Sequence, residues 1–140
     1  MGRLVPFDEA ARQRRAAVRL QRAIAIVQEG GHLLALAEAE ELSAEKALPG
    51  DTLYDLGCVF ALAAPRLARD EARPLRERER RAELASRKAV ALLQRAAQAG
   101  FFREPRNRAH LDKDTDLDSL RSRDDYRAFI KTLPPAPAKP

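Results

Sequence analysis

Tryptophan is missing from this chain, cysteine and methionine occur once each, and only two histidines are present. With Cys58 as the single cysteine, no internal disulfide can form, and a reducing compartment fits. His32 and His110 have no second His or Cys at ligand spacing, which speaks against zinc. Aromatic residues make up 5% of the chain, and Val, Ile and Thr are sparse, so little favours a β-sheet. No apolar run approaches the roughly 18 residues that a membrane span requires. The first eight residues lack the apolar core of a secretory signal, so a cytoplasmic protein without membrane contact is expected.

What remains is dominated by Ala, Leu, Arg and Glu, the composition of helices. With 34% charged and 45% hydrophobic residues, the chain belongs with globular rather than disordered proteins. Its 140 residues suffice for one domain, expected over 1–133, and not for two. The net charge of +5 raises nucleic-acid binding as an alternative, through Arg12, Arg14, Arg15, Arg19 and the arginines of 76–81. Acids interleave with those bases, and no aromatics stand among them for base stacking, so solvated helix faces are the favoured reading. A domain that assembles with itself is a further alternative, and oligomeric state is open.

Hydrophobic spacing predicts a first helix over 8–29, with Leu20, Ile24 and Val27 on one face, ended by Gly30 and Gly31. A second helix is expected over 32–46, turning Leu34, Ala35, Ala39 and Leu42 inward, before Pro49 and Gly50. Thr52 and Asp55 read as a capping box opening a third helix with Leu53, Leu56, Phe60, Ala63 and Leu67 at helical spacing. Pro65 predicts a kink or an end near Ala64. Residues 66–88 are highly charged and divided by Pro74, beyond which Glu77/Arg81 and Glu83/Arg87 pair at i, i+4 and predict an exposed start to a long fourth helix. A fourth helix then buries Ala85, Ala89, Leu92, Leu93 and Ala96, and Gly100 ends it in a left-handed cap with Phe101 folding back. Short helices follow around His110-Leu111 and Leu117–Leu120. Ser122 with Asp125 is expected to cap a last helix carrying Tyr126, Phe129, Ile130 and Leu133. A Pro-rich, disordered tail over 134–140 completes the chain.

Two helix pairs joined by Gly- or Pro-containing turns suggest a tetratricopeptide repeat of 34 residues. With position 1 at Gly50, Leu53, Leu56, Gly57 and Phe60 take positions 4, 7, 8 and 11. Ala89, Leu93 and Ala96 take positions 20, 24 and 27 once a charged insertion over about 66–84 is allowed. These seven are the predicted repeat-packing residues: Gly57 admits the partner helix and Phe60 fills the space beside it. An earlier repeat over about 8–48 fits less well, with Arg19 and Arg22 at its positions 4 and 7.

The run 50–63, with its Tyr54-Asp55-x-x-Cys58-x-Phe60-Ala61-Leu62-Ala63 core, resembles one in the C-terminal repeat region of bacterial serine/threonine protein kinases. The run 89–101 is similar to the helix that follows there. His110-Leu111, Asp114, Asp116-Leu117-Asp118, Leu120-Arg121 and Tyr126 resemble the terminal motif that closes such arrays. The resemblance implies an all-α fold of antiparallel helix pairs, about two degenerate repeats, with a closing segment over about 105–133. It also implies a non-catalytic module that contacts a protein or peptide as a terminal or accessory part of a signalling protein. Kinase activity is not implied, since the nucleotide loop and the His-Arg-Asp and Asp-Phe-Gly motifs are lacking.

In the repeat frame Asp51, Tyr54 and Cys58 face the concave surface and are the candidate partner-binding residues. For Tyr54 a partner-facing and a core position both remain open. Cys58 lies among Leu56, Val59 and Phe60, where a buried thiol is commoner than a nucleophile. Asp112, Asp114, Asp116 and Asp118 alternate like a calcium loop, but Leu117 stands where Gly is needed and Arg123 where Glu is needed. Helix capping is the expected role of these acids. No cofactor or metal is expected, and no lysine–asparagine clamp for a C-terminal carboxylate is present.

Overall fold

The computed structural model describes residues 32–137 together with Arg14, Leu20 and Arg22. The expected first helix therefore lies outside the described residues, except that those three positions are helical and Leu20 is buried in the core. Among the described residues the fold is all-α, with no strand. Helix α1 spans His32–Ser43, α2 Gly50–Ala68, α3 Leu75–Gln98, α4 Pro105–Lys113 and α5 Asp124–Lys131. Two 3-10 segments, Phe101–Arg103 and Thr115–Leu120, flank α4.

The hairpin of α2 and α3 is the centre of the molecule. Gly57 faces Ala89 and Leu93, whereas Phe60 and Leu67, further along α2, line one cleft with Arg81, Leu84 and Ala85. The order reverses between the two helices, so they run antiparallel. A Cβ built on Gly57 would sit 3.2 Å from Leu93 Cδ2 and 3.3 Å from the Ala89 carbonyl oxygen. The hydrogen of glycine is what permits this approach. Leu53, Leu56, Phe60, Ala89, Leu93 and Ala96 are all buried.

The charged stretch over 66–84 forms no separate loop. It lengthens both helices, leaving only residues 69–74 as the turn, with Pro74 preceding the first residue of α3. Salt bridges lace this arm, including Arg73–Glu77 at 3.1 Å and Arg81–Glu77 at 3.4 Å. Exposed pairs of this kind contribute little each but keep a polar arm helical. Arg123 reaches Glu83 with two bonds of 2.8 and 3.0 Å, tying α5 to α3. This bidentate partner holds the Glu83 carboxyl down at about 2, so the bridge persists through mildly acid pH.

Pro65 neither ends nor divides α2, which continues to Ala68. A proline cannot donate to the carbonyl four residues back, which here is Ala61. The Ser119 hydroxyl donates to that oxygen instead, at 3.0 Å. The helix defect is thus repaired by the closing segment. Ser119→Ala is expected to cost about 1 kcal/mol in chemical denaturation. In a Pro65→Ala background the same change costs less, because the backbone N–H of residue 65 again fills the site.

Three other local expectations are corrected. Helix α2 begins at Gly50 behind Pro49, so Thr52 lies inside the first turn and forms no capping box. Its N–H donates to Asp51 Oδ1. Likewise α5 starts at Asp124 behind Arg123 rather than at Ser122. Leu34, expected inward, is 63% exposed, while Ala35, Ala39 and Leu42 are buried. Gly100 does take the left-handed conformation, at φ 87°. Phe101 then crosses to α2 and lies over its first turn, where a Cβ on Gly50 would meet Phe101 Cβ at 2.9 Å.

Candidate functional site

The closing segment, from α4 through α5, packs onto the face of α2 that carries Tyr54 and Cys58. Leu111, Leu117, Leu120, Tyr126 and Phe129 are buried there together with Phe102. The rings form a continuous set: Tyr54 lies 5.3 Å from Phe101 and 5.9 Å from Phe102, which in turn lies 5.9 Å from Phe129. Burial of these large side chains is the main attraction holding the segment in place.

Asp114 is the polar hub. Its Oδ2 accepts from the Tyr54 hydroxyl at 2.6 Å and from the Cys58 thiol at 3.7 Å, and His110 Nε2 stands 3.2 Å away. Its Oδ1 accepts from the Asp116 N–H at 3.0 Å, capping the 3-10 segment. Arg121 completes the motif from the backbone side. Its Nη2 donates to the carbonyls of Asp114 at 2.6 Å and Leu111 at 3.2 Å, and its Nη1 to the Tyr126 hydroxyl at 3.3 Å. The buried Arg108 donates to the Pro134 carbonyl at 2.8 Å, so the tail is anchored where it begins. Asp114, Arg121 and Tyr126 are thus tied into the packing of the closing segment by their side chains.

The electrostatics follow from crowding. Burial, with Asp51, Asp114 and Asp116 close by, raises the Asp55 carboxyl to about 6, and His110 opposes this. Burial and Asp114 also raise Asp116. The Tyr54 hydroxyl is pushed up by burial first, then by Cys58 and Asp114. The Cys58 thiol is held well above its usual value by burial and by Asp114 and Asp116. A thiol so held stays protonated and is a weak nucleophile. The Cys58 sulfur and the carboxylate oxygens of Asp114 and Asp116 do lie within 4.8 Å of one another, but Asp114 is already occupied by hydrogen-bond donors.

Of the three residues expected to face a partner, Asp51 is exposed. Tyr54 and Cys58 are 4% and 2% exposed and are covered by the chain's own closing segment. For Tyr54 the core position is the observed one. The Asp114 hub was hidden from sequence reading, because Tyr54 and Asp114 are 60 residues apart. The alternating aspartates read as helix caps, which Asp114 is for the 3-10 segment, and their spacing carried no sign of the bond to Tyr54.

An open cleft lies elsewhere, between α1 and the arm of the hairpin. It holds about 180 Å³ and is walled by Leu36, Phe60, Leu67, Leu84 and Ala85, with Glu40 and Arg81 at its rim. Leu33 lies one turn before Leu36 on α1 and is 44% exposed, and Leu84 is 55% exposed. These two exposed leucines add apolar surface beside the cleft. Comparison with protein-family models, curated proteins and solved structures finds no match to this chain.

Proposed function

We propose that this chain is a non-catalytic protein-interaction module of tetratricopeptide-repeat type, with the pair α2–α3 as its complete repeat and the segment after Gly100 as its closing cap. Support for the repeat comes from the glycine contact of Gly57 with Ala89 and Leu93, the small-to-large packing that the repeat pattern demands. The observation that carries the function is the cleft between α1 and the hairpin arm. Its apolar walls and charged rim suit an amphipathic helix of a partner protein, laid in with leucine-like anchors at i, i+3 and i+7. Glu40 and Arg81 stand on the rim with opposite charges and would orient such a helix. The face bearing Tyr54 and Cys58 is filled from within and serves the fold instead.

The variant Leu84→Glu tests this reading. Because the side chain is exposed, stability is expected to change by no more than about 0.5 kcal/mol. Binding of a partner identified with the wild-type chain is expected to fall at least about tenfold, since a charge in an apolar contact is desolvated without a counter-charge. An unchanged affinity for Leu84→Glu and for Leu33→Glu would refute the cleft. A bound species lost on nuclease treatment would instead favour the arginine-rich surfaces and nucleic acid.

A further inference from the structure

The cleft between α1 and the hairpin arm is small. Its volume of about 180 Å³ falls below the roughly 300 Å³ at which small-molecule sites begin, so it suits single anchor side chains from another surface. The face around it carries such anchors itself. On α1, Leu33, Leu36 and Glu40 follow at i, i+3 and i+7 and share one side of the helix. On α3, Arg81, Leu84 and Lys88 do the same. Leu33 and Leu84 stand exposed beside the hole that Leu36, Phe60 and Leu67 line. The two walls also differ in charge. Helix α1 contains three glutamates and no lysine or arginine, whereas the cleft side of α3 presents Arg81 and Lys88. Ties within the chain leave these rim groups loosely held. Glu40 approaches Lys88 only to 3.9 Å with its side chain 60% exposed, and Arg81 approaches Glu77 to 3.4 Å. Exposed pairs of this geometry contribute little.

A face with a hole, adjoining knobs, an acidic wall and a basic wall is its own complement under a two-fold rotation. We propose that the cleft is filled by the same face of a second copy of this chain, giving a two-fold symmetric dimer. The proposal rests on the reading of the cleft as the protein-binding face, and it names the partner. In the dimer α1 of each copy lies against α3 of the other. The Leu84 side chain of one copy enters the cleft of the other, and the reverse contact repeats it. Glu40 of each copy faces Arg81 of the other, so the contact has two rim pairs of opposite charge. Covering the leucines supplies the attraction, and the rim pairs fix orientation. An unrelated helix laid in the cleft would fill the hole but leave Leu33 and Leu84 to find cover elsewhere. A second copy satisfies hole and knobs together.

Sedimentation velocity of the full chain between about 1 and 300 μM is the test, and a monomer–dimer equilibrium is expected in that range. Leu84→Glu is expected to weaken dimerisation at least about tenfold. Leu75→Glu is the control. Leu75 is equally exposed but lies nine residues earlier, on the opposite side of α3, and its replacement is expected to leave the equilibrium unchanged. The rim gives the sharper test. Glu40→Arg and Arg81→Glu each set two like-charged pairs in their own dimer and are each expected to weaken it at least about tenfold. An equal mixture of these two variants restores opposite charges at both rim pairs and is expected to dimerise within about threefold of wild type. Recovery on mixing requires both chains to be folded, so loss of structure cannot imitate it. A mixture that stays monomeric, or a dimer indifferent to Leu84→Glu, would overturn the proposal. A wild-type chain monomeric throughout would overturn the second copy alone. The cleft would then stand or fall on whether Leu84→Glu loses the binding of a different protein.

Discussion

Replacing Gly57 with leucine is expected to cost on the order of 3 kcal/mol or more and to leave a hairpin that is no longer tightly packed. The atoms in the way are the Leu93 side chain at 3.2 Å and the Ala89 carbonyl oxygen at 3.3 Å from a Cβ at this position. The first can move, but the second belongs to the α3 backbone and cannot without separating the helices. Gly57→Ala provides the graded control. Alanine gains about 1 kcal/mol of helix propensity over glycine, which offsets much of the tight contact, so a change within about 1 kcal/mol is expected. Urea or thermal denaturation of both variants separates packing from propensity. Equal stability for Gly57→Leu and wild type would mean that α2 and α3 are not in contact at this point.

The second large effect falls on Arg121. Truncation to alanine leaves the carbonyls of Leu111 and Asp114 without their donor and frees the Tyr126 hydroxyl. An unsatisfied buried acceptor costs about 1–3 kcal/mol, so a total loss of roughly 2–4 kcal/mol is expected. Arg121→Lys is expected to recover only a minor part. An ammonium group cannot reach two carbonyls, a hydroxyl and Asp118 from one planar fork. The loss is expected to appear first as reduced protection of the 3-10 segment Thr115–Leu120, with α3 following only at higher denaturant. A cost below about 0.5 kcal/mol for Arg121→Ala would show that apolar burial alone seats the segment.

Helix identity was legible in the sequence wherever local signals and packing agreed. Leu53, Leu56, Gly57 and Phe60 announced one face of α2 by spacing and size, and Ala89, Leu93 and Ala96 announced the facing side of α3. Gly100 marked its own left-handed turn. What stayed hidden depended on groups distant in sequence. Pro65 read as a break because its repair comes from Ser119, 58 residues beyond Ala61. Tyr54 read equally well as groove or core because its cover is the closing segment, whose docking no local pattern encodes. The charged stretch over 66–84 read as an insertion within the repeat, while the pairs Glu77/Arg81 and Glu83/Arg87 marked its part beyond Pro74 as the start of the long helix that is α3. The cleft combines Leu36, Phe60 and Leu84 from three helices, so only the assembled fold places them together.

The most direct measurement for the account as a whole is a hydrogen-exchange footprint of the chain with its bound partner, compared with the free chain. The account predicts new protection confined to α1 around Leu33–Leu36 and to the arm of α2–α3 around Leu67 and residues 81–85. The amides of residues 51–58 are expected to remain unchanged, because the closing segment already covers Tyr54 and Cys58. New protection centred on residues 51–58, with the closing segment deprotected in the same complex, would contradict it.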